Sequence, residues 1–328
     1  MILAGDVGGT NSRLAIFDWD LNKVEEQVFK NAGRPSLQGI IAEFLKPFSH
    51  PIDRACFAVA GPVAQGQVTM INLSWHLEER QLSEELKIPL VTLINDLRGH
   101  AEGIAVLSAD KFITLTPGQP VVGGGRAVIA AGTGLGEAGL AYDSKTKRYL
   151  SFPTEGGHSD FSPTNDEQDA LMKFMRTRTP RVYWEMVLSG RGMRNLYDFY
   201  VAGGRFKKSE EIADKPEWKG AGPTPADISA AGLSGSSPVA VAALELFARL
   251  YGAEAGNFAL KTLATSGVYL GGGIAPRIAA KLKSPDVLAA FQQKGSDKME
   301  AVMKQIPLHI INFELCGLYG AANYARHL

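Results

Sequence analysis

Apolar and polar positions along this chain fall into short strand-like runs interleaved with helical ones. Runs carrying β-branched or aromatic residues lie near 1–6, 12–19, 24–30, 55–60, 67–72 and 90–94. A helical period covers 36–47 and a shorter one 78–87. A second series follows, with strands expected at 127–131, 137–143, 147–152, 267–271 and 307–312. Helices are expected at 165–176, 182–201, 238–263 and 276–293. Residues 202–237 are rich in Gly, Pro, Ser and charge and read as exposed loop with one short helix. A small-residue helix, 317–327, closes the chain. This alternation predicts two α/β domains with mixed sheets and not a doubly wound parallel fold.

Between the first two strands stands GDVGGTNSR, residues 5–13. It fits neither G-x-x-x-x-G-K-[ST] nor G-x-G-x-x-G, and it leads into a strand instead of a phosphate-holding helix N-terminus. The stretch reads as a β-hairpin whose backbone N–H groups and Thr10 and Ser12 hydroxyls face inward, a nest for phosphate oxygens. An ordinary hairpin turn fits it equally well. Glycine also clusters as GGG at 123–125, GTGLG at 132–136 and GGG at 271–273, each beside a strand-like run. Such clusters let a backbone approach something closely or turn with positive φ, and three in one chain favour a nucleotide. GDVGGTNSRLAIFD and AAGTGLGEAGLAYD resemble one another, as a duplicated strand–turn–strand unit would, with two phosphate loops opposed across a cleft. A shared bias toward small residues also explains that likeness.

Composition narrows the class. A chain of 328 residues accommodates two domains with sizeable cores, and 45% hydrophobic with 21% charged residues is a soluble globular balance. Lys+Arg and Asp+Glu both number 34, so charge points to neither nucleic acid nor a membrane surface. No apolar run approaches transmembrane length and no signal-peptide pattern opens the chain, so the expected location is cytoplasmic. Cys56 and Cys316, far apart, exclude a disulfide framework and a cysteine-rich zinc site.

Taken in order, GDVGGTNSR, AGPV, NLSW, INDL, AAGTGLG, PTEGGHSDF, EMVLSGRG and YLGGGIAPR resemble the bacterial glucokinase family from residue 5 to about residue 322. The resemblance implies a two-domain actin-like ATPase (ribonuclease H-like) fold with a cleft between a small domain, 1–107 plus 312–328, and a large one, 108–311. It implies ATP and Mg²⁺ as cofactors, glucose as substrate and a homodimer. Asp6, Gly8, Gly9, Thr10 and Asn11 match the first phosphate loop, with Arg13 following it. Gly132, Thr133, Gly134 and Gly136 match the second, and Gly272, Gly273 and Ile274 the adenosine segment. Asp6 would help hold Mg²⁺ through water.

A hexose presents a ring of hydroxyls, each donor and acceptor, which carboxylates and amides read well. By itself the Asn95-Asp96 pair reads as a helix cap or turn at a strand end. Through the resemblance Asp96 becomes the general base for the attacking hydroxyl and Asn95 a partner of a neighbouring one. An ordinary Asp pKa of about 4 leaves such a base ionised at neutral pH. Glu155 and His158 of EGGH, and Glu185 before MVLSG, match further sugar-reading positions, with Asn72 more peripheral. A lone His or a helix Glu would otherwise be structural or surface residues.

Phosphoryl transfer asks the protein mainly for positioning and charge stabilisation. The expected reaction is transfer from ATP to the 6-hydroxyl of glucose. Rival readings are a kinase for another hexose such as mannose, a polyphosphate-dependent enzyme, or a non-catalytic sugar sensor. The adenosine segment argues against polyphosphate and Asp96 against a pure sensor. The related repressor–kinase family carries a zinc site with a tight cysteine cluster; no cysteine follows GGHSDF until Cys316, which disfavours that group. Without a helix-turn-helix extension or a basic patch, a DNA-binding role is disfavoured too.

Overall fold

The chain turns back on itself at once. In the computed structural model, which describes residues 1–70 and 73–328, β1 (Ile2–Val7) pairs antiparallel with β2 (Asn11–Phe17), from Ile2 opposite Phe17 to Val7 opposite Ser12. β3 (Lys23–Lys30) adds antiparallel to β2, and β4 (Arg54–Val59) lies parallel to β1. After a separate ribbon of β5 (Gln67–Met70) and β6 (Trp75–Glu78), β7 (Leu90–Asn95) adds parallel to β4. The sheet order is β3-β2-β1-β4-β7.

Strand alternation sends side chains to two faces. Leu3, Val7, Leu14 and Ile16 pack with Ile40, Ile41 and Phe44 of the helix Leu37–Leu45. Ile2, Ala4, Ala15 and Phe17 pack with Leu318, Ala321, Ala322 and Ala325 of the helix Cys316–Arg326. That last helix lies against the helix Asp96–Ile104 at very close range. A Cβ at Gly320 would collide with the Gly99 carbonyl, and one at Gly103 with the Cys316 carbonyl. These elements belong to one compact unit, made of Met1–Phe112, Leu140–Pro153 and Phe313–Leu328.

The second compact unit takes Ile113–Gly139 and Thr154–Asn312. Its strands come from β8 (Phe112–Thr116), β9 (Arg126–Ala131), the start of β10 (Leu135–Asp143), which continues toward β11 (Arg148–Thr154), then β12 (Val268–Gly271) and β13 (Leu308–Ile311). β12 runs parallel to both β9 and β13. Across them lies the helix Pro238–Thr262, apolar on most faces and buried along its length, as a core helix must be. Its Tyr251 hydroxyl accepts from Ala131 N–H at 3.1 Å and lies 3.1 and 3.0 Å from the carbonyls of Ile129 and Gly271. One hydroxyl thus ties the ends of β9 and β12.

Several expected elements differ. Positions 276–293 form two helices, Ala279–Leu282 and Pro285–Gln292, because Pro285 cannot donate into a continuing helix. Positions 182–189 hold only the 3₁₀ turn Trp184–Met186; the helix proper is Gly190–Ala202, begun by the Ser189 cap. The helices Asp96–Ile104 and Asp297–Gln305 and the strands β6 and β8 were not expected. Among the described residues, no single helix is long and apolar enough to cross a membrane, and Cys56 and Cys316 are both free and buried.

Candidate functional site

In the first unit, GDVGGTNSR is the β1–β2 hairpin, closed by Gly8 N–H on the Asn11 carbonyl at 3.0 Å. Gly9, Thr10 and Asn11 remain exposed at its tip. Ser12 does not face a ligand: it is buried, and its hydroxyl donates to Asn31 Oδ1 at 2.7 Å. Asn31 also donates Nδ2–H to the Gly8 carbonyl at 2.8 Å and its own N–H to Thr10 O at 2.9 Å. It staples the loop from a third strand end, a role with no signal in the hairpin's own sequence.

Asp6 sits at the end of β1, with its Oδ2 against the first turn of the helix Cys316–Arg326; a Cβ at Gly317 would stand 3.3 Å away. Asp96 opens the helix Asp96–Ile104, with Asn95 as its cap. Asn95 Oδ1 and Asp96 Oδ1 each accept from Leu97 N–H at 2.9 Å, and Asn95 Nδ2 donates to Gly61 O at 3.2 Å. The pair therefore is a strand end and a helix cap together. The Asn95 amide keeps one unused donor and one unused lone pair.

Both acids are pushed above the ordinary carboxylate range, chiefly by burial. For Asp96 the His100 charge and the Leu97 N–H pull the other way, while the nearby Asp6 charge pushes further. For Asp6, His100 and Arg13 oppose the rise. Asp96 is thus not the unperturbed carboxyl its sequence context suggests.

In the second unit, a cavity of about 620 Å³ is lined by Gly132 and Thr133, Arg191, Thr224, Gly273 and Arg277, among others. That volume suits a nucleotide-sized ligand. Gly132, Thr133, Gly273 and Ile274 line it as the motifs suggest; Gly134, Gly136 and Gly272 do not. Gly272 has φ +77°, and a Cβ on it would strike the Ala131 carbonyl, so it serves the close β9–β12 approach. Gly134 makes room for Glu185 Oε2, 2.5 Å from where its Cβ would stand. The cluster at 123–125 carries no ligand surface either. A Cβ on Gly125 would stand 2.8 Å from the Thr262 carbonyl, and the Gly125 carbonyl accepts from Ser266 N–H at 2.9 Å.

The cavity has a wall that the glycine motifs did not single out. Gly190, first residue of the helix Gly190–Ala202, donates its N–H to the Gly132 carbonyl at 2.8 Å. The positive end of that helix therefore abuts the second glycine loop, with Arg191 beside it. The capped N-terminus of Pro225–Ser234 contributes Thr224 and Pro225 to the same wall.

Glu185 is no ordinary surface charge. Its Oε2 accepts from Leu135 N–H at 3.0 Å and its Oε1 lies 3.9 Å from Arg191 Nη2. Glu155 and His158 are exposed at the two ends of the 3₁₀ turn Gly156–His158, and the His158 ring stacks on Tyr183 at 4.8 Å. Asn72 lies outside the described residues.

Known proteins identify the family. Residues 3–328 match the family model described as Glucokinase. A glucokinase of Nostoc sp. is 37% identical over 100% of this chain and 99% of its own. The crystal structure of a glucokinase from an Antarctic psychrotroph superposes with a TM-score of 0.85 at 30% identity, covering 100% of this chain and 99% of that one. A ROK-family glucokinase from Streptomyces griseus, in complex with glucose and AMPPNP, shares the fold at a TM-score of 0.64 and 19% identity, covering 100% and 99%. This chain belongs to the glucokinase family.

Proposed function

We propose that Asp96 is the general base that takes the proton of the glucose 6-hydroxyl as its oxygen attacks the γ-phosphorus of ATP and ADP leaves. The observation that carries the assignment is its place at a strand end and helix start. Oδ1 is fixed by Leu97 N–H, and Oδ2 is left to take the hydroxyl proton. The helix's positive end favours the carboxylate that burial disfavours, which keeps the base near its working value. Asn95 would hold a neighbouring hydroxyl, Glu155, His158 and Glu185 others, and Asn72 a peripheral one.

ATP fits the second unit's cavity, its adenosine against Gly273 and Ile274 and its phosphates toward Gly132, Thr133 and the start of Gly190–Ala202. The β1–β2 tip, Gly8, Gly9, Thr10 and Asn11, is the first phosphate loop in this reading. Magnesium suits the acids present: the Asp6 charge raises the proton affinity of Asp96, and a divalent charge relieves that repulsion. No set of three or more ligating side chains gathers among the described residues. This matches a cation that keeps waters and takes its other ligands from phosphate. When bound, Mg²⁺ neutralises charge on the phosphates; Asp6 would hold it through water.

Around these assignments stand the two-domain actin-like (ribonuclease H-like) architecture, with a small domain of 1–107 plus 312–328 and a large one of 108–311, a cytoplasmic homodimer and glucose as the hexose. The order β3-β2-β1-β4-β7, antiparallel then parallel, supports the architecture. Asp96→Asn is expected to lower kcat by about 10²- to 10⁴-fold with KM values little changed. A variant rate within a few-fold of the native one removes Asp96 from this role. ADP release with a panel of hexoses checks the sugar, and light scattering the dimer.

A further inference from the structure

Beneath the Glu155–His158 turn lies a buried cluster that phosphoryl transfer leaves unused. Glu137 on β10 and Glu254 on the helix Pro238–Thr262 are both buried. Oε1 of each is enclosed and finds no N–H or O–H donor among the described residues. Two such carboxyls are satisfied by one proton held between them. Glu254 is the ionised member: Asn257 Nδ2 donates to its Oε2 at 2.8 Å, and Lys261 Nζ lies 3.7 Å from its Oε1. Lys294 supports the set, donating to Asn257 Oδ1 at 2.9 Å and the Ala253 carbonyl at 2.7 Å.

The turn is seated on this pair. Glu137 Oε2 lies so close under Gly156 that a Cβ there would collide, and Gly157 sits in the same way on the Leu135 carbonyl. Thr154 Oγ1 donates to the Glu137 carbonyl at 3.1 Å and accepts from Gly156 N–H at 3.2 Å. The two glycines of EGGH are therefore spent on packing against β10, leaving Glu155 and His158 outward.

We propose that Glu137 is a positioning residue: the proton it shares with Glu254 seats the Glu155–His158 turn, and loss of that proton unseats it. The consequence for sugar binding rests on reading that turn as part of the glucose site. Burial and the Glu254 charge push the Glu137 carboxyl up to about 8. The charged groups facing the pair are Lys261 from its helix and Lys294 from beyond Pro285–Gln292; Glu155 and His158 belong to the turn itself. Lys294, lowered to about 8 by burial, loses its charge in the same range. That removes a counter-charge to Glu254 and gives none to Glu137.

The test follows hydrogen exchange at the amides of residues 156–159 and KM for glucose across alkaline pH, in the native enzyme and in E137Q. Gln keeps a donor toward Glu254 and cannot ionise. In the native enzyme the amides are expected to lose protection, and KM to rise about tenfold per pH unit, above the Glu137 value, with kcat little changed. E137Q should be flat in both. A native-like alkaline limb in E137Q overturns the proposal. Should exchange respond as expected while KM does not, the positioning role stands and the turn's assignment to the sugar site fails. E254Q guards against an unfolded E137Q: removing the Glu254 charge should move the native limb to lower pH, and an unmoved limb also overturns the proposal.

Discussion

At the scale of single residues, burial sets the pH behaviour. Asp96 is raised chiefly by desolvation, so its ionised fraction falls as pH drops through that raised value, and with Asp96 as the proposed base kcat/KM is expected to fall with it. The acid limb of the pH–rate profile is expected above the ordinary carboxyl value of about 4. The same shift acts on stability with a definite sign. A carboxyl raised in the folded state contributes stability below its unfolded value and loses it as pH rises through the folded one. Asp96→Asn should therefore melt higher than the native protein at neutral pH, with the gain vanishing only below the unfolded carboxyl value of about 4, where the folded and unfolded carboxyls are both protonated. Scanning calorimetry at the two pH values checks this; equal melting points at neutral pH would contradict it. Tyr251→Phe leaves the Ala131 N–H and strand-end carbonyls short of a partner, a cost of about 1–3 kcal/mol. Since those strand ends carry Gly132 and Gly272, KM for ATP should rise and KM for glucose should not. Motifs made most of the proposed chemistry legible at this scale, Asp6, Asp96 and Gly132 among it. Asn31 and Tyr251 were not, because each acts from an element remote in sequence and sits in no motif; Arg191 lies inside EMVLSGRG, where Glu185 alone was singled out.

Among elements, the helix Asp96–Ile104 carries the proposed base and gave the weakest sequence signal. DLRGHAEGI contains two glycines, each costing about 1 kcal/mol against alanine in a helix interior, and little apolar periodicity. The reason lies in its partner. Gly99 and Gly103 meet Gly317, Gly320 and Cys316 of the closing helix at backbone distance, so small size outweighs propensity. Gly320→Ala is expected to force the two helices apart at a cost of about 1–3 kcal/mol or more and to lower kcat by displacing Asp96. Urea unfolding together with steady-state kinetics reads both, and a variant native in each would mean the contact is slack. Long periodic elements such as Pro238–Thr262 and the strands of the first sheet were visible from alternation alone. The break at Pro285 and the late start at Gly190 were written in the sequence too, as a proline and a Ser cap. Helical periodicity running through them hid both.

Over the whole molecule, each compact unit has its own core. The cavity assigned to ATP draws every lining residue from the second unit. ATP without sugar should accordingly slow exchange at Gly132, Gly190, Thr224 and Ile274 while leaving the β1–β2 sheet core unchanged. At a ligand concentration of about 100 Kd the second unit should gain about 2.7 kcal/mol. A uniform change across both units would count against that assignment. By contact Leu140–Pro153 groups with the first unit, which periodicity alone does not reveal, since a strand pair carries no address. The first unit has one more consequence, which concerns synthesis. Its β1–β2 strands are made long before the helix Cys316–Arg326, which covers the face formed by Ile2, Ala4, Ala15 and Phe17. At about 5–20 residues per second, that apolar face waits on the order of ten seconds to a minute for its lid. The nascent chain therefore carries this apolar face exposed to aggregation until Cys316–Arg326 is made, and its dependence on chaperones should fall once that helix emerges.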